Sequence, residues 1–199
     1  MDDQDARQQY SREPTLDDLQ QLCRHLNEAG VRYVIIGGFA IILNGFIRTT
    51  GDVDLLIDSS PENVARIKKA LLYLPDQAVR EIAENEVAKY DVVRIADEII
   101  VDLMHKACGV TYKDAGDHIQ HHQAADVRIP FLKPSLLLRT KMTMRPKDAE
   151  DRFFLEQLLE NEKMEGRATS QERSTSTFAA MRFFKNIKKI FLQFWNRKE

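Results

Sequence analysis

The chain has 199 residues and a mass of 23.0 kDa, 43% of its residues are hydrophobic, and its formal net charge at pH 7 is −2. This length and apolar content predict one globular domain with a hydrophobic core. The chain has only two cysteines, Cys23 and Cys108, which lie far apart without CxxC spacing, and this fits neither a disulfide framework nor a zinc ribbon. No apolar run reaches the roughly 20 residues of a membrane-spanning helix and the N-terminus has no export signal, so we expect a cytoplasmic protein.

The charge is divided unequally along the chain. Residues 178–199 contain six Lys or Arg and one acid, which leaves a net charge of −7 on the remainder. An acidic body does not favour broad electrostatic binding of nucleic acid, although a local basic groove is compatible with it.

Turn residues and hydrophobic periodicity predict alternating helices and strands. Thr15 and Asp18 have the spacing of a capping box, and the Leu-rich pattern after them predicts a helix as far as Gly30. Ser60 followed by Pro61 predicts another helix start. Strands are predicted at 31–36, 52–57, 91–95, 98–103 and 127–129, and further helices at 39–43, 61–74, 77–89, 112–123, 134–142 and 146–159. This alternation predicts an α/β (α+β) fold.

The two ends of the chain differ in composition from its centre. Residues 1–14 are polar and predict a disordered N-terminus, and residues 161–177 are polar and predict a linker. Residues 178–199 predict a basic, aromatic-rich amphipathic helix. Three placements stay open for this helix: docking on its own domain or its twin in a dimer, peripheral binding at the inner membrane face, or binding in a partner's groove.

Asp52 and Asp54 are separated by one residue in a predicted strand. Because successive side chains of a strand point to opposite faces, the two carboxylates share one face, and Val53 and Leu55 share the other. Two like charges at one place are costly unless a cation or a proton lies between them, so the pair is a candidate divalent-metal site. The alternative is a solvated turn at the start of the strand.

Asp102 is a third acid with apolar neighbours, in the second strand of a hairpin predicted around Ala96 and Asp97. Charged residues are rarely placed in buried strands without a partner. If this strand pairs beside that of Asp52 and Asp54, the three carboxylates form a triad that holds two Mg²⁺ ions, with Mn²⁺ as an alternative. Oxygen ligands suit such hard cations better than zinc.

Gly37 and Gly38 stand between a predicted buried strand and a predicted helix. Two glycines at this position allow the backbone to approach a phosphate, and they are also common structural punctuation. Neither a Walker loop nor a GxGxxG fingerprint is present.

Three histidines, His118, His121 and His122, have the spacing of one face of the predicted helix at 112–123. This spacing permits a metal site. Because no fourth ligand lies nearby in the sequence, a solvated polar helix is the favoured interpretation.

Three motifs in fixed order resemble those of the DNA polymerase β type nucleotidyltransferase superfamily. They are Gly37-Gly38, Asp52-Val53-Asp54-Leu55 and Val101-Asp102-Leu103. Two further stretches are similar to small bacterial nucleotidyltransferases related to abortive-infection toxins, namely Arg48-Thr49-Thr50-Gly51 and the segment from Leu138-Arg139-Thr140-Lys141 through Arg145-Pro146-Lys147-Asp148 to Asp151. The resemblance covers residues 15–160 and implies a nucleotidyltransferase domain there, with a small mixed sheet flanked by helices.

The resemblance implies a metal-dependent enzyme that transfers a nucleoside monophosphate from a nucleoside triphosphate to a hydroxyl group and releases pyrophosphate. Asp52 and Asp54 would bind the metals together with the nucleotide phosphates. Asp102 would complete the metal site and help to deprotonate the acceptor hydroxyl. A toxin-type enzyme from a toxin–antitoxin pair belongs to the same class.

The resemblance also assigns nucleotide-binding residues. Gly37 and Gly38 would contact the triphosphate, and Arg48 and Lys141 are candidates to bind its phosphates. For Lys141 and Arg145 the alternative is a solvated helix face. Related enzymes often have a longer C-terminal region that helps to bind the acceptor, so the acceptor stays open between a tRNA, a protein and a small molecule. The alternative function is a non-catalytic nucleotide- or partner-binding module, membrane-tethered by residues 178–199.

Overall fold

A computed structural model of the protein describes residues 11–83 and 85–171, the last six of them by their backbone alone. The helices in this part of the chain are α1 Leu16–Glu28, α2 Gly37–Leu43, α3 Pro61–Leu71, α4 Glu86–Lys89, α5 Tyr112–Ala115, α6 Pro134–Thr140 and α7 Pro146–Gln171. The strands are β1 Tyr33–Ile35, β2 Asp52–Ile57, β3 Val93–Ala96, β4 Ile100–Met104, β5 Lys106–Ala107, β6 Val110–Thr111, β7 Ile119–Ala124 and β8 Val127–Leu132. The predicted mixed α/β class is confirmed.

Six strands form one mixed sheet in the order β3-β4-β2-β1-β8-β7, and β5 pairs with β6 in a small separate sheet. The central strand β2 is antiparallel to β1 and parallel to β4. Strand β3 pairs with β4 in the predicted hairpin, and β7 pairs with β8 in a second hairpin. Strand β2 therefore lies between the strand that follows α1 and the strand that carries Asp102.

The core is formed where apolar faces of the helices cover this sheet. Helix α1 begins with the predicted capping box, in which the Thr15 hydroxyl accepts from the backbone of Asp18, and it packs against α3 and β8. Helix α2 packs against β2. On β2, Val53 and Leu55 are fully buried, so the opposite face of the strand is left to the acids.

Two predicted helices are wrong in part. The segment predicted as a helix at 77–89 contains a 3₁₀ turn, Ala78–Glu81, and the short helix α4. Gln77, with φ of +50°, is in the left-handed region that a continuous helix excludes. The carboxylate of Asp97 accepts hydrogen bonds from the backbone of Asp76 and Ala78, which fixes the chain on both sides of Gln77.

The predicted helix at 112–123 ends after one turn. Its second half is strand β7, whose six residues are in antiparallel register with all six residues of β8. His121 and His122 are neighbours in this strand and point to opposite faces, so the predicted helical face of histidines is wrong. The i, i+3, i+4 spacing was misleading because the segment pairs with β8 in a hairpin, and the cross-strand hydrogen bonds outweigh the helical pattern.

Part of the predicted disordered N-terminus is attached to the domain. Arg12 forms ion pairs with Asp18 at 2.6 Å and with Glu98 at 3.1 Å, and its backbone bridges to Ile99. Pro14 is buried. Residues 1–10 of the predicted segment lie outside the described residues.

Helix α7 runs past its predicted end at Leu159 as far as Gln171, so the first part of the predicted linker is helical. The Glu, Lys, Met, Arg and Ala residues of this stretch are strong helix formers, and polarity predicts exposure rather than the absence of a helix. The chain divides into two compact units, Met1–Glu156 and Gln157–Glu199. The rest of the predicted linker and the predicted amphipathic helix at 178–199 lie outside the described residues.

Within the described ranges, none of the helices is both long enough and apolar enough to cross a membrane.

We expect Asp97→Ala to lower the free energy of unfolding by about 2–4 kcal/mol, because three backbone N–H groups would lose a charged acceptor. Asp97 is 3% exposed and accepts from the backbones of Asp76, Ala78 and Glu98 at the turn between β3 and β4. Urea denaturation measures the loss. The control Glu98→Ala removes an exposed ion pair and should change stability by about 0.5 kcal/mol or less. Equal effects of the two variants would contradict this role of Asp97.

Candidate functional site

The register of β2 and β4 brings the three predicted acids together. Asp54 lies opposite Asp102 in the parallel pair, and Asp52 lies two residues earlier on the same face of β2. One carboxylate oxygen from each acid comes within 4.8 Å of the others. Among the described residues, these acids are the one group of three or more His, Cys, Asp or Glu close enough to share a metal ion. We call Asp52, Asp54 and Asp102 the acidic triad.

Asp54 carries the electrostatic penalty of this clustering. Burial raises the pKa of the Asp54 carboxyl to about 7, and the charges of Asp52 and Asp102 add to the shift. The charge of Lys141 and the backbone N–H of Gly38 act in the opposite direction and do not cancel it. A carboxylate in this situation is stabilised by a bound cation, and three sets of oxygen ligands suit a hard divalent ion. The acidic triad can therefore hold a metal ion.

Arg94 neutralises the other side of the triad. It lies opposite Asp102 in the β3–β4 hairpin, and its Nε and Nη2 atoms donate to the two Asp102 oxygens at 2.9 and 2.8 Å. Its Nη2 is also 3.7 Å from Asp52 Oδ2. Asp102 is buried, so this bidentate pair supplies its charge compensation within the described part of the chain.

Steric contacts explain why Gly37 and Gly38 are glycines at this site. Gly37 has φ of +60°, a conformation that favours glycine, and a β-carbon at this position would overlap the Asp54 carboxylate. A β-carbon at Gly38 would overlap the side chain of Thr50. Thr50 in turn donates a hydrogen bond to Asp52 at 3.3 Å. The two glycines thus make room for the acids and for the residue that orients one of them.

Lys141 and Arg48 meet at a buried carboxylate beside the triad. The Nζ of Lys141 is 2.9 Å from Asp151 and 3.1 Å from Asp148, and Arg48 Nη2 is 3.1 Å from the same Asp151 oxygen. All three of Lys141, Asp148 and Asp151 have side chains at most 7% exposed. The solvated helix face is therefore wrong for Lys141, because the first turns of α7 bury it between two acids.

Asp148 is held in its charged form by several donors. Burial raises the pKa of its carboxyl, but hydrogen bonds from Thr143 and Lys141, together with the charges of Lys141 and Arg145, outweigh burial and lower the pKa below its usual value. Arg145 itself remains exposed while donating to Asp148 at 3.0 Å. This end of the site is a network of alternating charges built from the segment that joins α6 to α7 and from the first turns of α7.

The triad and the network face one open cavity of about 1150 Å³. Its lining includes all seven residues that the sequence singled out: Gly37, Gly38, Arg48, Asp52, Asp54, Asp102 and Lys141. It also includes six Lys or Arg in all, namely Arg48, Arg94, Lys106, Lys141, Arg145 and Lys147. Basic residues are thus concentrated around an acidic centre, in a protein whose overall charge is negative.

No protein-family model matches the sequence, and no curated protein is significantly similar to it.

Sequence reasoning missed Arg94. The residue stands between buried Val93 and Ile95, so strand alternation places it on the face opposite to the core. The signal that identifies its partner is the register of the hairpin, which pairs Arg94 with Asp102. Asp148 and Asp151 were part of the family resemblance, but their ion pairs with Lys141 require the fold.

We expect Mg²⁺ or Mn²⁺ to raise the melting temperature of the full chain by about 5–10 °C at a hundredfold excess over the dissociation constant. Asp54→Asn should abolish this increase, and without metal it should melt about 2–4 °C higher than the wild type because one repelling charge is gone. Differential scanning fluorimetry measures both effects. The control Asp126→Asn, which changes an exposed acid outside the triad, should keep the metal response. An unchanged response in Asp54→Asn would contradict the metal assignment.

We expect Lys141→Met to lower the free energy of unfolding by about 3–5 kcal/mol, because two buried carboxylates would lose their shared cation. Chemical denaturation measures this loss. Lys147→Met, which removes an exposed lysine from the same segment, is the matched control and should change stability by about 0.5 kcal/mol or less. A small effect of Lys141→Met would mean that Lys141 is not needed to compensate the two acids.

Proposed function

We propose that the protein is a metal-dependent nucleotidyltransferase of the DNA polymerase β type, which moves a nucleoside monophosphate from a nucleoside triphosphate to a hydroxyl acceptor. The observation that carries the proposal is the β2–β4 register, which aligns Asp54 with Asp102 and places Asp52 beside them. Three carboxylates gathered on one face of a sheet, in a cavity that is also lined by basic residues, suit a reaction on a polyphosphate.

The acidic triad would hold Mg²⁺ in a two-metal arrangement, and Mn²⁺ would fit the same oxygen donors. The raised pKa of Asp54 supports this, because the clustered negative charge favours a bound cation. When bound, the metal would supply charge neutralisation of the phosphates and activation of the attacking oxygen. Gly37 keeps its side of the cavity free of a β-carbon that would displace Asp54.

The basic residues of the cavity would bind the phosphates. Arg48 has a buried Nε with no hydrogen-bond partner among the described residues, so it has a donor available for an anion. Its other end is fixed by Asp151, which also fixes Lys141. A shared buried carboxylate would thus hold two cations at a constant separation and orient them toward a substrate. Lys147 and Arg145 would add positive charge at the exposed rim.

In the proposed reaction, the oxygen of the acceptor hydroxyl forms a bond to the α-phosphorus of the nucleotide. The bond between the α-phosphorus and the bridging oxygen to the β-phosphate breaks, and pyrophosphate leaves with that oxygen. A carboxylate of the acidic triad accepts the hydroxyl proton. The acceptor is a tRNA, a protein side chain or a small molecule, each of which offers such a hydroxyl.

We expect the purified full chain to transfer label from at least one α-³²P-labelled nucleoside triphosphate to total tRNA or to a lysate in the presence of Mg²⁺. Asp54→Asn should reduce transfer at least about a thousandfold, because the metal site would lose a ligand. The control Asp126→Asn should retain full activity. Binding of the nucleotide without any transfer by the folded wild type would contradict the enzyme and would favour the non-catalytic binding module.

A further inference from the structure

Arg94 lies in the gap that separates two carboxylates of the acidic triad. The cross-strand row on this face of the sheet runs Asp54, Asp102, Arg94, with one residue from each of β2, β4 and β3. The guanidinium leans back over β4, so that Nη2 is 2.8 Å from Asp102 Oδ2 and 3.7 Å from Asp52 Oδ2. A single side-chain nitrogen is therefore shared, unequally, by acids of two different strands.

This position conflicts with a metal ion bound by the same oxygens. Both oxygens of Asp102 already accept from Arg94, through Nε and Nη2. A metal ion that binds these Asp102 oxygens together with Asp52 would approach the place where Nη2 lies, 3.7 Å from Asp52 Oδ2. Two cations so close together repel each other strongly, so the guanidinium and the ion compete for Asp102.

Arg94 is much more exposed than Lys141, another cation near the triad. Its side chain is 39% exposed and it extends from β3, the edge strand of the sheet. Leaving Asp102 would return the guanidinium to water. Lys141, in contrast, is 7% exposed between two carboxylates that are almost completely buried, and its departure would remove the cation that they share. Of these two cations, Arg94 is the one that can leave its carboxylate for water.

We propose that Arg94 is the counter-ion of the metal-free triad, and that a divalent cation binds in exchange for the Arg94 guanidinium at Asp102. This inference rests on the proposed metal site and concerns its regulation. The arginine offsets part of the negative charge of the triad when no metal is bound, and it lowers the affinity of the site for metal by competing for the same Asp102 oxygens. The displaced guanidinium then becomes a free donor on the wall of the cavity.

An orienting role for Arg94 predicts the opposite result. Hydrogen-bond partners that orient a metal ligand usually strengthen metal binding, and their removal weakens it about 10–100-fold. A competitor strengthens metal binding when it is removed. The sign of the change in affinity therefore separates the two roles, and a general loss of folding stability cannot imitate a gain in affinity.

The experiment is isothermal titration calorimetry of the full chain with Mn²⁺ alone, without nucleotide. We expect Arg94→Met to bind Mn²⁺ at least about 10-fold more tightly than the wild type, since a bidentate charged pair contributes on this scale. Arg24→Met is the matched control, because Arg24 also donates two hydrogen bonds to one carboxylate, that of Asp126, and has a similar exposure of 38%. It should leave Mn²⁺ affinity unchanged.

If Arg94→Met folds poorly, the Mn²⁺ affinity of Arg94→Lys tests the same proposal. It keeps one charge but loses the two-pronged geometry, so we expect its Mn²⁺ affinity to lie between those of the wild type and Arg94→Met. Unchanged or weaker Mn²⁺ binding in both Arg94 variants would overturn the exchange while leaving the metal site standing. Absence of Mn²⁺ binding in the wild type and in every folded variant would overturn the metal site and the exchange together.

Discussion

Three carboxylates whose oxygens lie within 4.8 Å of one another, on two adjacent parallel strands, form the constraint on which the rest of this site depends. Their mutual repulsion must be relieved by a proton or a cation. The relief is uneven, because Arg94 compensates Asp102 directly whereas the pKa of Asp54 rises to about 7. The clustered carboxylates therefore favour the binding of a cation at this site.

Two sets of cations surround the triad, and they differ in how firmly they are fixed. Arg94 is half-exposed on an edge strand, whereas Lys141 and Arg48 are tied to the buried Asp151. The exposed Arg94 can exchange its carboxylate for water, whereas Lys141 and Arg48 are held in fixed positions. For the proposed nucleotidyltransferase this difference would have a use, because the metal would have to enter and leave while the proposed phosphate-binding residues keep their geometry.

A glycine, the β3–β4 turn and an aromatic stack support the arrangement of charges around the triad. Gly37 leaves space for Asp54, and the β3–β4 turn fixed by Asp97 sets the register that brings Arg94 to Asp102. Phe46 stacks on Phe154 with ring centroids 4.9 Å apart, which fastens the chain just before Arg48 to helix α7. Contacts outside the triad thus help to set the positions of Arg94 and Arg48 beside it.

Period-two alternation of strands is a local property, so the sequence by itself determined that Asp52 and Asp54 share a face and that Asp102 is an acid within a buried strand. It also determined the mixed α/β class and the hairpin around Asp97. Only the tertiary structure decided that β4 lies parallel to β2, that Arg94 pairs with Asp102, and that Lys141 is buried between two acids. It also decided that His121 and His122 lie on a strand. Register and burial arise from pairing between strands and packing between elements, and the periodicity within one element does not contain them.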